Sequence, residues 1–194
     1  KLSWSGLYFG AHGGYSAANA EISAGAFALD GLSATGMVGG VHVGADWQVT
    51  GSCLVLGARA GYTWSDVTFS VSPGIATAGI DDGWHVDGRL GCAMGTALPY
   101  VFGGWGKTHT SASFGGTPIA SPDLEGWRMG GGIEFGLANL GTGIIRPTLA
   151  LEGMYRNHDD IALGGGAKLD VTDLSVGARL NLRFFDGYKS SATK

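Results

Sequence analysis

The sequence is poor in charge and in proline, and it has no long apolar run. Charged residues make up 14% of its 194 residues, against about 25% in an average globular protein. Only five prolines accompany 37 glycines, and the glycines follow no three-residue period, which excludes a collagen-like chain. No apolar stretch approaches the roughly 18 residues of a membrane-spanning helix, which excludes a helical membrane protein.

The sequence also lacks the features of several other protein classes. Its net charge of −4 at neutral pH argues against a nucleic-acid-binding protein, which normally carries a basic face. Its 10% aromatic residues and mean hydropathy of +0.15 do not fit a disordered chain. Two cysteines are too few for a disulfide scaffold. The chain begins at Lys1 without the apolar segment of an export signal, so we expect a mature or trimmed form.

Alternation of apolar and polar residues is the dominant pattern of the sequence. In residues 173–184, all six residues of one parity are apolar and none of the other six is. A helix would spread both sets around its circumference, so this pattern predicts a strand with one apolar and one polar face. Its length suits the roughly 9–11 residues that cross a membrane in a β-barrel better than the usual 5–6 or so of a soluble strand.

The same alternation predicts seven further strands. Four are clear and begin near residues 7, 37, 85 and 127, and three weaker ones lie at about 53–65, 99–108 and 144–156. The connections alternate in length. Long polar segments lie near 17–33, 66–80, 109–123 and 157–168, and short turns lie at 49–52, 95–98 and 138–143. This asymmetry is typical of bacterial outer-membrane barrels.

We therefore predict an all-β fold, an eight-stranded antiparallel up-and-down transmembrane β-barrel with four long outer loops and three short periplasmic turns. The barrel occupies residues 1–184, and residues 185–194 form a short C-terminal tail. A bridge between Cys53 and Cys92 is not expected, because Cys92 falls on an apolar face and Cys53 on the opposite parity.

The composition of the polar faces indicates that they point into the barrel. They are rich in glycine, whereas the outer face of a soluble lipocalin-like barrel would carry Lys, Glu, Thr and Ser. Six of the seven arginines fall within the predicted strands, and all five lysines lie at termini or margins. Paired charges would fill such a narrow lumen, which predicts a plugged barrel rather than an open pore. The predicted lumen network is Asp46, Arg59, Asp87, Arg89, Arg128, Glu134, Glu152 and Arg179, and Asp173 is a further inward acid.

Six motifs carry a family resemblance over nearly the whole chain. They are WSGLYFG at 4–10 with GY at 14–15, GGVHVGADWQ at 39–48, GRLG at 88–91, LPYVFGG at 98–104, GWRMGGGIEF at 126–135 and SVGARLNLRF at 175–184. In order and spacing they resemble the small porin-family outer-membrane β-barrels of Gram-negative bacteria. The resemblance implies a protein of the outer membrane that serves envelope integrity, adhesion or haem acquisition. It also implies that Phe184 is the signal for the barrel assembly machinery. Arg59 departs from the family, which often has an acid there.

Several candidate sites have simpler interpretations. Residues 103–108 resemble a phosphate-binding loop, but Val101 stands where the first glycine is required, so a strand is expected. His158, with the two acids after it, is expected on a solvated loop. His12, His42 and His85 are expected to form hydrogen bonds in the lumen rather than to bind haem or metal.

The expected function is structural. We expect no catalytic, cofactor-binding or metal-binding residues, and acidic surface loops that keep the outer face soluble. Expected partners are outer-membrane lipids and lipopolysaccharide, the barrel assembly machinery, and other envelope proteins or a second copy of the chain, with no nucleic acid. The alternatives are a loop-mediated adhesin or haem receptor and, less expected, a lipid-A-modifying hydrolase. The hydrolase would need a Ser–His–acid arrangement, and Ser16 and Ser65 lack a clear inward His–acid pair.

Overall fold

The computed structural model describes residues 3–24, 27–71, 76–119, 123–137, 145–158, 161–164 and 167–184. These residues form ten β-segments: β1 (Gly6–Ala24), β2 (Phe27–Gln48), β3 (Leu54–Val71), β4 (Ala76–Cys92), β5 (Ala97–Phe114), β6 (Thr117–Ile119), β7 (Leu124–Gly136), β8 (Ile145–His158), β9 (Ile161–Gly164) and β10 (Ala167–Phe184). Across the described ranges, no helix has the length and apolarity needed to cross a membrane.

Eight of these segments are the long strands of one closed antiparallel barrel. Pairing runs from β1 through β5, then to β7, β8 and β10, and β10 pairs again with β1. The two short segments extend hairpins, because β6 pairs with the end of β5 and β9 pairs with the beginning of β10. The predicted eight-stranded up-and-down barrel is therefore confirmed.

The register advances by ten residues around the barrel. Cα partners lead from Leu7 on β1 across all eight long strands to Ala17 on the same strand. Because ten is an even number, residues that face inward on one strand meet inward-facing residues on the next all the way round. The stagger tilts the strands, and eight of them leave an interior that is just wide enough for side chains.

Strand pairing continues far into the segments that the sequence assigned to long loops. β1 extends to Ala24 and β2 begins at Phe27, and β3 and β4 are likewise separated only by residues 72–75. The alternation fades toward the outer ends of these strands, so the loss of the pattern does not mark the end of a strand. Residues 103–108 lie within β5, as predicted. The turn predicted at 138–143 and the tail at 185–194 lie outside the described residues.

The apolar faces point away from the lumen. Leu180 is 53% exposed whereas the preceding Arg179 is 7% exposed, which confirms the predicted assignment of faces on the last strand. Large aromatic side chains are exposed on five successive strands, toward the end with the long hairpins: Trp64, Trp84, Trp105, Trp127 and Tyr155. Such a band is typical of the interfacial girdle of an outer-membrane barrel.

Candidate functional site

The candidate site is the lumen, and its inner half contains a closed ionic network. Arg183 donates from Nε to Oε1 of Glu134 at 2.8 Å and from Nη2 to Oδ2 of Asp46 at 2.6 Å. Arg89 donates from Nη2 to Oε2 of Glu134 at 2.8 Å, and its Nη1 lies 3.6 Å from Oδ2 of Asp46. Each cation therefore contacts both anions, which offsets the cost of burying four charges.

A second ionic network lies on the outer side of the first. Arg59 binds two acids, Asp87 through Nε at 2.7 Å and Glu152 through Nη1 at 2.5 Å. Asp87 also lies 3.0 Å from Nε of Arg128, and Glu152 accepts from Nε of Arg179 at 2.5 Å. These five residues join strands β3, β4, β7, β8 and β10 across the interior.

Aromatic rings fill the space between the charges. The guanidinium carbon of Arg59 lies 4.1 Å from the ring centre of Phe102, and that of Arg89 lies 4.0 Å from the ring centre of Tyr100. The hydroxyl of Tyr100 donates to Glu152 and so links the rings to the outer network. Cation–π contacts of this kind are strongest where water is excluded.

The inner end of the lumen is closed by apolar side chains. Trp4, Val55, Leu98 and Ala150 belong to one cluster and are each at most 1% exposed. The carbonyl oxygen of Trp4 accepts a hydrogen bond from Nη1 of Arg183 at 3.2 Å, and the guanidinium carbon of Arg183 lies 5.1 Å from the centre of the Trp4 ring. The apolar cluster and the two networks together leave this half of the barrel filled.

The structure brings together the three inward histidines of the sequence analysis. Nδ1 of His12 lies 3.4 Å from Nδ1 of His42, and the rings of His12 and His85 are 6.2 Å apart. The remaining ring nitrogens of the first two contact Oγ1 of Thr63 and Oδ1 of Asn181. Within the described part of the chain, no group of three or more His, Cys, Asp or Glu side chains is placed to hold a metal ion.

All eight residues of the predicted network lie inside the barrel, and further arginines on the described strands face the lumen as well. Arg183 shares the inner network, and its signal was present, since it has the polar parity in the last strand. Arg156 also points into the lumen, although alternation in its strand is weak. His158 contradicts the solvated-loop prediction because it ends β8 with 2% exposure; the acids after it lie outside the described residues.

Cys53 and Cys92 form a disulfide, so the prediction of no bridge was wrong. Their Cα atoms are 4.7 Å apart, and the amide of Ala93 donates to the carbonyl of Cys53 at 2.6 Å. The parity argument failed because Cys53 precedes β3, which begins at Leu54, so the pleat of the strand does not set the direction of its side chain. The bridge joins the inner ends of β3 and β4.

The outer half of the lumen contains a cavity of about 70 Å³. Its polar walls include Arg128, Arg156, Thr108, Ser16 and Asp173. Ser16 donates its hydroxyl hydrogen to Oδ1 of Asp173 at 2.5 Å. The lumen therefore has three levels, an apolar inner end, an ionic middle and a polar outer cavity.

Comparison with known proteins identifies a relative. No family model matches the chain. The 31 kDa outer-membrane immunogenic protein of Brucella melitensis biotype 1 is 30% identical over an alignment of 165 residues, which covers 71% of this chain and 67% of the relative. The protein of the same name from Brucella suis biovar 1 matches to the same extent.

Two solved structures align over most of the chain. Neisserial surface protein A has 16% identity and a TM-score of 0.49, with 93% of this chain and 98% of that chain covered. Ail, the attachment invasion locus protein of Yersinia pestis, has 13% identity and a TM-score of 0.41, with 90% and 99% covered. The 30% identity to the Brucella protein shows that the chain is an outer-membrane β-barrel protein of a Gram-negative bacterium, and that it belongs to the family that includes the 31 kDa outer-membrane immunogenic protein of Brucella.

Proposed function

We propose that this protein is a structural, non-catalytic component of the outer membrane that contributes to the integrity of the cell envelope. The observation that carries the proposal is the filled lumen. Two buried ionic networks and an apolar inner cluster occupy the space through which a pore would conduct. A barrel of this kind offers the membrane an apolar outer belt and a rigid interior rather than a passage.

Loss of the gene tests this role. We expect a deletion strain to admit more of a membrane-impermeant dye and to become more sensitive to detergent, and the intact chain to restore the barrier. A variant with residues 20–31 replaced by a two-residue turn lacks the outer part of the β1–β2 hairpin but keeps the barrel, so it should restore the barrier equally well. Unchanged dye uptake and detergent sensitivity in the deletion strain would contradict the proposal.

We further propose that the barrel assembly machinery recognises Phe184. It ends β10 at the seam of the barrel, where its Cα partners are Leu7 and Ile145 and its ring stacks on Phe9 at 5.5 Å. Phe9→Ala is a matched control because it removes the same stacking contact. Both variants should refold alike in detergent, but only Phe184→Ala should reduce the amount of barrel in the outer membrane. Equal losses in cells would mean that the stacking contact alone matters.

The proposed partners at the membrane are lipids and lipopolysaccharide, together with other envelope proteins or a second copy of the chain. The exposed apolar belt and the aromatic band support lipid contact. Mass spectrometry of the protein extracted from native membranes in a mild detergent identifies what remains bound. Recovery of the protein without lipopolysaccharide or any second protein would contradict this part of the proposal.

A second candidate is a loop-mediated binding module, an adhesin or a haem receptor. It is favoured by the outer hairpins, because β1 and β2 continue nine residues beyond Tyr15 and ten residues before Met37, which are exposed near the aromatic band. Haem titration followed by absorption spectroscopy, with the hairpin variant as the control, tests the receptor. A spectral shift that the hairpin variant loses would favour this candidate over the structural role.

The hydrolase alternative receives less support from the serines. Ser16 donates to the carboxylate of Asp173 rather than to an imidazole, and the buried hydroxyl of Ser65 has no hydrogen-bond partner among the described residues. A serine nucleophile needs a histidine base within hydrogen-bonding reach. The masses of lipid A from cells with and without the protein should therefore be identical, and a mass shift would contradict the non-catalytic role.

A further inference from the structure

Two arginines face each other at the inner wall of the outer cavity. Arg128 on β7 and Arg156 on β8 are direct cross-strand partners, and both side chains point into the barrel. Like charges in this position repel each other and destabilise the pair of strands. Water does not screen them well, since Arg128 is only 2% exposed and Nε of Arg156 is inaccessible to solvent.

The carboxylates nearby neutralise this pair only in part. Away from the rim, the outer half of the lumen holds four arginines against three carboxylates among the described residues: Arg59, Arg128, Arg156 and Arg179 against Asp87, Glu152 and Asp173. Arg128 lies 3.0 Å from Asp87, but the geometry is not that of a hydrogen bond, and Asp87 also binds Arg59 at 2.7 Å. Arg156 donates from Nη1 to Oγ1 of Thr108 at 3.0 Å, and its Nε has no partner. Its Cα partner on β10 is Asp173, the principal opposing charge, and that carboxylate also accepts from Ser16. The outer half of the lumen therefore carries one buried positive charge in excess, which is costly enough to imply a missing partner.

The other acids on the cavity wall already have partners. Glu152 binds Arg59 and Arg179, and Asp173 accepts from Ser16. Asp81 and Asp82 lie at the outer rim, where Asp81 accepts from Ser111 and Asp82 lies 3.5 Å from Nδ1 of His109. The cavity wall also carries three hydroxyl groups that can donate to an anion, Ser65, Thr108 and Ser175, whereas Ser16 already donates to Asp173.

We propose that this cavity binds one small inorganic oxyanion, of the size of phosphate or sulfate, between Arg128 and Arg156. The planar guanidinium fork matches the spacing of two oxygens of such an anion, and the neighbouring hydroxyls donate to the others. A single water needs about 10–15 Å³ in this measure of volume. The cavity of about 70 Å³ therefore has room for one tetrahedral anion.

Titration of the full chain with inorganic phosphate tests the site. The protein is folded in uncharged detergent micelles with gluconate as the background anion, and binding is followed by calorimetry and by the arginine Nε–H resonances. We expect one saturable site, with shifts of the Arg128 and Arg156 resonances and none of Arg183, which lies in the inner network. No saturable binding, or shifts confined to other arginines, would overturn the proposal.

Substitutions locate the anion. Arg156→Gln should weaken phosphate binding by about tenfold or more, because a charge-assisted hydrogen bond is lost. Lys107→Gln is the matched control, since it removes one positive charge that pairs with Asp123 and Glu125 outside the cavity. Lys107→Gln should bind phosphate with the affinity of the original chain. Equal phosphate affinities of Arg156→Gln and Lys107→Gln would overturn the proposal. If Arg156→Gln does not fold, the resonance shifts of the unchanged chain decide.

Discussion

Arg183 and Glu134 form a two-point ion pair across the barrel. Nε of Arg183 lies 2.8 Å from Oε1 of Glu134, and Nη2 lies 3.0 Å from Oε2. The two residues belong to β10 and β7, which do not pair with each other because β8 lies between them. Glu134 also accepts from Thr148 and Asn181, so four strands, β4 included through Arg89, converge on one carboxylate.

Glu134→Gln should therefore be strongly destabilising. The change leaves Arg89 and Arg183 with a neutral partner in a place without water, and breaking a buried pair costs about 3–5 kcal/mol. Urea titration of the barrel refolded into lipid vesicles measures the loss. Glu125→Gln on the same strand is the control, since Glu125 makes an exposed pair with Lys107 and should cost only a small fraction of this. Equal effects of the two variants would contradict the role of Glu134 as the centre of the network.

Leu180 and Arg179 test which face of the last strand meets lipid. Leu180→Arg should cost about 2–4 kcal/mol, because it places a charge in the hydrocarbon region. Arg179→Leu should also destabilise, since it removes a partner of Glu152 at 2.5 Å. Adding Glu152→Gln to Arg179→Leu should increase the loss in a urea titration, because Glu152 is also a partner of Arg59. No lumen substitution should rescue Leu180→Arg. A neutral Leu180→Arg would contradict the lipid-facing assignment.

The barrel was predictable from the sequence because its two faces meet different media. Leu180 and Arg179 differ in polarity for that reason. The resulting alternation of apolar and polar residues can be read from a short stretch of sequence. Arg59 and Glu152 are both recognisable as inward residues, but their pairing depends on the stagger of the register, which alternation does not encode.

Two other features could not be predicted from the alternation of apolar and polar residues. Cys53 lies in a turn, where no periodicity fixes the direction of a side chain. Tyr100 and Phe102 are large apolar rings inside a polar lumen, where they cover guanidinium groups. A rule that assigns apolar residues to lipid places such rings wrongly, since their use depends on the arginines of other strands.

The Cys53–Cys92 bridge should stabilise the barrel. It closes a loop of 39 residues at the inner ends of β3 and β4, and a native disulfide typically contributes about 2–4 kcal/mol. The double variant Cys53→Ser, Cys92→Ser should unfold at lower urea concentration than the oxidised chain, and reductant should lower the midpoint of the original chain only. The bridge lowers the mass of the chain by two hydrogens. A mass equal to that of the fully reduced chain, measured without reductant, would contradict it.

The filled lumen should not conduct ions in large steps. Purified protein in planar bilayers is expected to show no stable, high conductance, because two ionic networks and the apolar inner cluster block the path. Trp4→Ala removes the largest side chain of the inner cluster but leaves both networks, so it should remain closed as well. High conductance of the original chain would contradict a plugged lumen, and conductance of Trp4→Ala alone would assign the closure to Trp4.

Gly13 and Gly14, neighbours on β1, test whether the glycines of the polar faces are there because the lumen is narrow. A Cβ on Gly13 would point outward, with its nearest atom 3.8 Å away. A Cβ on Gly14 would point inward, clash with the carbonyl oxygen of Val176 and lie 2.8 Å from Cα of Gly177. Both contacts are with backbone, so no side chain can move aside to relieve them.

Gly13→Ala should therefore be neutral or stabilise the barrel by up to about 0.5–1 kcal/mol, since alanine loses less conformational freedom than glycine in a strand. Gly14→Ala should destabilise it by about 1–3 kcal/mol or more, because β1 and β10 must separate where their Cα atoms are direct partners. Urea titration in lipid vesicles compares the two. Because the variants differ by one position in the same strand, helix or strand propensity cannot account for opposite signs. Equal tolerance of both would mean that the interior is wide enough for side chains at Gly14, and the high glycine content of the inward faces would then need another cause.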